Sequence, residues 1–422
     1  MDIRSLQPFE ICSIRPPTEN NSLIFRLTRN CAWNRCMFCP VYKMGAKFSR
    51  RGIDEIKEDV RRAVMLDRLL GEEGIGTAGT FEEAYRKARG LLDAVASERG
   101  PAENEGVDMT GCDDERMGWF SSWFKDKPNL EDSILHLLSW RLTGSGSCFL
   151  GDANSLLLPA AFFTEALLSI RDAFPEITRF TIYGRTRSAA KKKTGELEAF
   201  AQGGLHRIHF GIESGSDRVL EFMCKGETAD QHIEACRKTR GSGLSPSVYI
   251  MPGLGGTAWS NEHALETARV LSEARPDFVR LRSLEIFPGT GLSEAVRRGE
   301  FVEAPEEQVV REIRTIIANT DGETTIMSDS ASNLLNVNGR LPHDRRNMLS
   351  VIDSYLSLSD REKLSFSLSS RLQSFMGQYG GVTQDILSAL SPHLTDEGID
   401  TERMPEEEIE KVIRLIRSKL MP

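Results

Sequence analysis

Six short β-branched or aromatic runs recur along the first two-thirds of the chain, near 23–28, 148–151, 179–183, 207–211, 247–251 and 278–284. Each ends in glycine or polar residues, and each is followed by a stretch with helical spacing. The stretch at 53–70 places Ile56, Val60, Val64 and Leu69 close to a helical repeat, and 158–174, 195–202, 229–241 and 261–274 behave alike. Strand-then-helix alternation repeated this often requires parallel strands joined by right-handed crossovers, so the fold class is α/β. The sheet either stays open or closes toward a barrel. In both cases the chemistry collects at the carboxyl ends of the strands.

Two regions break the rhythm. Residues 71–146 separate the first helix from the second strand, far more than the ~2–6 residues of an ordinary connection. A surface excursion or lid is expected there, with Trp119, Phe120, Trp123 and Phe124 either packing the insert onto the core or forming a partner surface. Beyond residue 300 the helical pattern dominates. The expected organisation is a lead-in over 1–20, a core over 21–300 with its insertion at 71–146, and a mainly helical region over 301–422.

Immediately after the first strand stands Cys31-x4-Cys36-x2-Cys39. Three thiolates at this spacing surround one point and hold three irons of a four-iron cluster, leaving the fourth iron open to a substrate. Zinc is the first alternative, although a structural zinc site normally takes four protein ligands. The same spacing also begins a two-iron ferredoxin pattern, which needs a fourth cysteine. The next one, Cys112, lies far off in an acidic stretch, and Cys12, Cys148, Cys224 and Cys236 occur singly. The nearest histidine along the chain is His136.

The residues that follow the strands share a face with this loop in a parallel sheet. They are Gly151, Asp152 and Asn154; Arg185 and Arg187; Glu213, Ser214 and Asp217; and Gly253 and Gly255. Glycines let a ligand approach the backbone, while the polar groups suit a zwitterion. Arg280 and Arg282 alternate with Val279 and Leu281, so both point to one side and need an anionic partner. The stretch from Ser328 to Asn336 either closes the barrel against substrate or bonds its own backbone.

Charge and composition narrow the partners. A net charge of −9 argues against a general nucleic-acid binder, and the local basic runs at Lys43, Lys47, Arg50, Arg51 and 191–193 read as solvated faces. No apolar run reaches the ~20 residues needed to span a bilayer, and the first residues lack the apolar core of a signal peptide. Scattered single cysteines fit a reducing, cytoplasmic compartment.

The cysteine loop with Phe38 before its last cysteine, together with Phe210-Gly-Ile-Glu213-Ser-Gly215-Ser-Asp217, resembles the radical S-adenosylmethionine superfamily. Within it the chain is similar to the branch of oxygen-independent coproporphyrinogen oxidase and elongator-type cores, through 30–36, 149–152, Pro288-Gly289-Thr290 and Ser328-Asp329-x3-Asn333. The loop departs from the usual C-x3-C-x2-C by one extra residue. The resemblance implies a partial (β/α)6 TIM-like barrel in which Cys31, Cys36 and Cys39 ligate a [4Fe–4S] cluster that binds S-adenosylmethionine. It implies Phe38 near the adenine, Gly151, Asp152 and Asn154 at the amino group, Glu213 and Ser214 at the ribose, Gly253 and Gly255 against the adenine, and Arg282 at the carboxylate. Reductive cleavage to a 5′-deoxyadenosyl radical, an unidentified substrate, and a reductase such as flavodoxin or ferredoxin follow, with no membrane and with nucleic acid not the expected partner. The competing reading is a non-catalytic electron-transfer or zinc-stabilised binding protein built on the same cysteines.

Overall fold

The computed structural model describes residues 6–12, 14–43, 47–75, 80–99, 128–395 and 398–420. The aromatic cluster at 119–124 and Cys112 lie outside them. Seven strands run parallel in chain order: β1 (Leu23–Arg26), β2 (Ser147–Gly151), β3 (Arg179–Gly184), β4 (Leu205–Glu213), β5 (Ser245–Ile250), β6 (Phe278–Leu281) and β7 (Thr324–Met327). An eighth, β8 (Gly339–Leu341), pairs antiparallel with β7. Because β1 and β8 are the two edges, the sheet is a partial, TIM-like barrel. All six expected strands are present, and the seventh carries the sheet into the region expected to be mainly helical.

Period-two alternation sorts the strand residues. Phe25, Leu150, Ile182, Phe210, Ile250 and Leu281 join the helices in the main core. Their neighbours face inward and are more polar. Tyr183 on β3, His209 on β4 and Tyr249 on β5 touch ring to ring, and Arg280 on β6 lies wholly buried beneath them. The inward face therefore holds charge that the sequence must neutralise from elsewhere. Arg280 finds Asp329 at 2.6 Å, from the turn after β7.

The lead-in supplies a second such partner. A short 3-10 turn, Pro17–Glu19, places the fully buried Glu19 carboxylate inside the sheet. It accepts from Arg179 Nη2 at 2.9 Å and from Ser22 Oγ at 2.6 Å, and its Oε1 lies 3.3 Å from His209 Nε2. Burial alone would raise this acid, but the bond to His209 and the charge of Arg179 bring it down to about 2.

The expected surface excursion over 71–146 is corrected in its last part. Helix Leu130–Thr143 starts on Asn129, whose side chain accepts from Asp132 N at 2.8 Å, and ends on the left-handed Gly144. It buries Ile134, Leu137 and Leu138 in the main core. His136 Nε2 accepts from Ile24 N at 3.0 Å, closing the free edge of β1. Apolar residues at helical spacing drive this docking, so the segment is part of the core.

At the other end, helices Asp360–Tyr379, Gln384–Leu390 and Glu406–Ser418 enclose a small core of their own. Arg417 ties it to the barrel through Glu285 at 3.0 Å and Glu303 at 2.6 Å. Among the described residues no helix is long and apolar enough to cross a membrane.

Candidate functional site

The cysteine loop begins where β1 ends, and the residue that anchors it is Asp152, just past β2. Its Oδ2 accepts from Arg26 Nη2 at 2.8 Å, Arg26 Nε at 3.1 Å and the backbone N–H of Asn30 at 3.0 Å. Its Oδ1 accepts from Tyr42 Oη at 2.7 Å. One buried carboxylate thus grips both ends of the loop. Asn30 and Asn34 take left-handed backbone (φ 64° and 43°), a conformation asparagine tolerates better than most residues. Asn30 donates to the Lys47 carbonyl at 3.0 Å, and Asn34 to the Tyr42 carbonyl at 2.5 Å.

So held, Cys31, Cys36 and Cys39 line one cavity of about 210 Å³. Trp33, Phe38 and Tyr42 from the same loop join them, and Tyr183, Glu213, Tyr249, Met251 and Arg282 come from the strand ends. Burial pushes the Cys39 thiol up to about 12. It raises Cys36 as well, against the pull of Lys225 and Arg185. Three soft donors on a poorly solvated wall suit a thiophilic metal group that takes them as thiolates. Among the described residues no three His, Cys, Asp or Glu side chains gather around a single-ion position.

Opposite the thiols, β4 ends on Glu213, itself left-handed at φ 63°. Its Oε1 accepts from Lys225 Nζ at 3.1 Å. Lys225 also lies 3.6 Å from Glu227, which in turn meets Arg185 at 3.4 Å. Burial would lower the Lys225 amine, but the two carboxylates hold it above its ordinary value. Burial likewise opposes ionisation of Glu227, and Lys225 and Arg185 reverse that. The row is charge-balanced, two acids against two bases. Gly211 makes room for it, since a Cβ there would lie 2.2 Å from Glu213 Oε1.

Of the residues singled out from the sequence, Cys31, Cys36, Cys39, Phe38, Arg185, Glu213 and Arg282 come together around the cavity. Gly151, Asp152, Asn154, Ser214, Gly253 and Gly255 are not among its lining residues. Gly151 lies against Cys12, whose Sγ would be 2.3 Å from an added Cβ. Asn154 bridges Ser188 Oγ at 2.8 Å and Arg185 N at 3.1 Å. Ser214 Oγ pairs with His263 Nδ1 at 2.8 Å, Gly253 N donates to Glu312 at 2.6 Å, and Gly255 abuts Trp259. The Ser328–Asn336 stretch bonds its own backbone, Ser328 Oγ donating to the Leu335 carbonyl at 2.7 Å, and holds the end of β6, where Asn333 donates to the Leu281 carbonyl at 2.8 Å and accepts from Ser283 N at 2.9 Å.

Sequence reasoning missed Trp33, Tyr42, Lys225 and Glu227. Only Gly226, between the last two, carried a signal, because its φ of 67° and its closeness to the Trp33 ring exclude a side chain.

Comparison with known proteins finds a partial family match. Residues 112–268 match the radical SAM superfamily. The match spans well under half of the chain; it covers β2 through β5 and leaves the cysteine loop outside it. A tRNA uridine(34) acetyltransferase of Methanocaldococcus jannaschii is 27% identical over 116 residues, 27% of this chain and 21% of that protein. An uncharacterised methyltransferase of Pyrococcus horikoshii is 32% identical over 97 residues, 23% of this chain and 21% of that protein. This chain thus matches only about a fifth of either relative's length. A solved structure of Elp3 from Methanocaldococcus infernus, 19% identical, aligns with 50% of this chain and 53% of its own at a TM-score of 0.37. A relative named for a tRNA nucleotide gives no support to the expectation that nucleic acid is not a partner.

Proposed function

We propose that this chain is a radical S-adenosylmethionine enzyme whose cavity holds a [4Fe–4S] cluster on Cys31, Cys36 and Cys39 and takes S-adenosylmethionine beside it. The observation that carries the reading is the meeting of three thiols from one loop with Glu213 and Arg282 from two strand ends around a single cavity. When bound and reduced by one electron from a flavodoxin- or ferredoxin-type donor, the pair supplies a 5′-deoxyadenosyl radical that removes a hydrogen atom from substrate.

The protein's own residues bind and orient. Glu213 is turned to the cavity by Lys225, which occupies Oε1; Oε2 carries no hydrogen bond to the described residues and suits the ribose hydroxyls. Arg282 is the partner for the carboxylate and Phe38 for the adenine. Asp152, Asn154 and Ser214 act from behind by fixing the loop and the strand ends, with Gly151, Gly253 and Gly255 shaping the same turns. Tyr183, Tyr249 and Met251 give the cavity an apolar side that keeps water from a reactive centre.

Anaerobic reconstitution with iron and sulfide tests this. The expected outcome is four irons per chain and an electron paramagnetic resonance signal that shifts when S-adenosylmethionine is added, both lost in Cys31→Ser, Cys36→Ser or Cys39→Ser. Tight zinc binding with no shift favours the electron-transfer or structural alternative.

A further inference from the structure

Among the described residues most charged side chains sit in ion pairs, including those inside the cavity, yet a set of cations beside it does not. Arg35, Lys43, Lys47, Arg50, Arg187 and Lys191 are exposed, and none has an acidic side-chain partner among the described residues. They form one neighbourhood. Lys43 follows Tyr42 and Lys47 receives Asn30, so both flank the cysteine loop. Arg50 pairs with Thr28 in the short ladder below it. Arg187 Nη1 donates to the Gly226 carbonyl at 3.3 Å, and Lys191 stands one turn further along the same helix.

Trp33 organises this rim. Its Nε1 donates to the Cys224 carbonyl at 2.8 Å, and Gly226 lies against its ring. Two guanidiniums lie over that ring, Arg185 at 4.8 Å and Arg35 at 5.1 Å. Arg185 is already committed to the Lys225 carbonyl and to Glu227. Arg35 makes no hydrogen bond to the described residues. A guanidinium laid on an aromatic face and otherwise unbonded is a pre-oriented fork for phosphate.

We infer that this rim docks a nucleic-acid strand and delivers one unpaired base to the cavity, with Arg35 as the leading phosphate contact. A cluster of unneutralised cations against a net charge of −9 selects a polyanion. Among the described residues no exposed large apolar side chain falls within 30–50 or 185–193, so neither a membrane-inserting face nor an apolar protein hot spot is present there. The cavity adjoining the rim is walled in part by Tyr183 and Tyr249, aromatic faces of the kind on which bases stack. The inference takes its chemistry from the radical reading, but docking is measurable without it.

The test is fluorescence anisotropy of the full anaerobically reconstituted chain with a 17-nucleotide RNA hairpin, a fully paired duplex of the same length, and vesicles of phosphatidylserine. Expected is hairpin binding that weakens steeply between about 50 and 200 mM salt, with a logarithmic slope that flattens by roughly 0.7 for each cation removed. Arg35→Gln should lower hairpin affinity about three- to tenfold. A Lys47→Gln/Lys191→Gln variant, which leaves the cysteine loop unaltered, should do likewise. The inference is overturned by no hairpin binding at 50 mM salt, by affinity indifferent to both variants, or by duplex or vesicles binding as tightly through the same residues. Failure of the cluster to shift with S-adenosylmethionine alters none of these readouts, so the two readings fail separately.

Discussion

Asp152 and Arg26 meet at 2.8 Å across 126 positions of sequence, and through that contact the second strand fixes the loop that leaves the first. The Asp152 side chain is 3% exposed and serves Arg26, Asn30 and Tyr42 at once. Removing one member of a buried, hydrogen-bonded pair costs up to about 3–5 kcal/mol, and less here because Arg26 keeps Glu10 at 3.3 Å. Asp152→Ala is therefore expected to lower the melting temperature and to cut iron uptake on reconstitution. Asp152→Asn, which keeps the acceptor for Asn30, should lose less of both. Equal iron content in all three proteins would show that the loop holds its shape without this carboxylate.

Gly211 separates the role of Glu213 from that of the fold. An added methyl would meet Glu213 Oε1 at 2.2 Å and Lys225 Nζ at 3.3 Å, both ends of flexible side chains. The backbone can stay while the carboxylate is displaced. Gly211→Ala should leave thermal stability within about 1 kcal/mol and weaken S-adenosylmethionine affinity about tenfold, read from titration of the cluster signal. Undiminished affinity removes Glu213 from the ribose contact.

Inside the sheet, Glu19 gives a pH test with a definite sign. Its carboxylate is held down to about 2, well below the ordinary carboxylate range near 4.5. Burial keeps His209 neutral, down to about 4, so it serves as hydrogen-bond partner while Arg179 supplies the charge. A depressed acid stabilises the fold above its unfolded value and loses that contribution as pH falls. Glu19→Gln is thus expected to destabilise by on the order of 2–3 kcal/mol at neutral pH. The gap to the parent should narrow as pH drops below 4.5 toward 2, as followed by urea unfolding.

Much of this architecture is written locally. Phe180 and Ile182 mark the helix-facing side of β3 and Tyr183 its inward side, and the spacing of Cys31, Cys36 and Cys39 marks their convergence. Arg280 and Arg282 read as needing an anion, and Asp329 meets Arg280. What sequence conceals is who partners whom across distance. Asp152 looks like a ligand-facing carboxylate until Arg26 and Tyr42 occupy it. Gly151 looks like a cradle until Cys12 fills the space. Lys225 carries no local pattern at all, because its importance comes from two carboxylates brought in by separate turns. The helix at 130–143 was hidden for the opposite reason: its apolar face is clear, but the length of the stretch around it suggested a surface excursion.

Behind the cavity, Glu312 offers the converse pH behaviour. Burial raises this acid to about 7, against bonds from Ser260 and the Gly253 amide that favour its charged form. Its nearest titratable neighbour, His263, lies 3.9 Å away and is itself kept neutral to about 4 by burial. An acid whose folded value is raised stabilises fully below its unfolded value near 4.5, and that contribution disappears as pH climbs to about 7. Glu312→Gln keeps an acceptor for Gly253 and never ionises. Relative to the parent it should therefore gain on the order of 2–3 kcal/mol between pH 4.5 and 7 and then level off. The histidines contribute the opposite slope to both proteins, so it cancels in the difference. A parent-minus-variant stability that stays flat across this window would show that Glu312 is already ionised in the fold, held by Gly253 and Ser260.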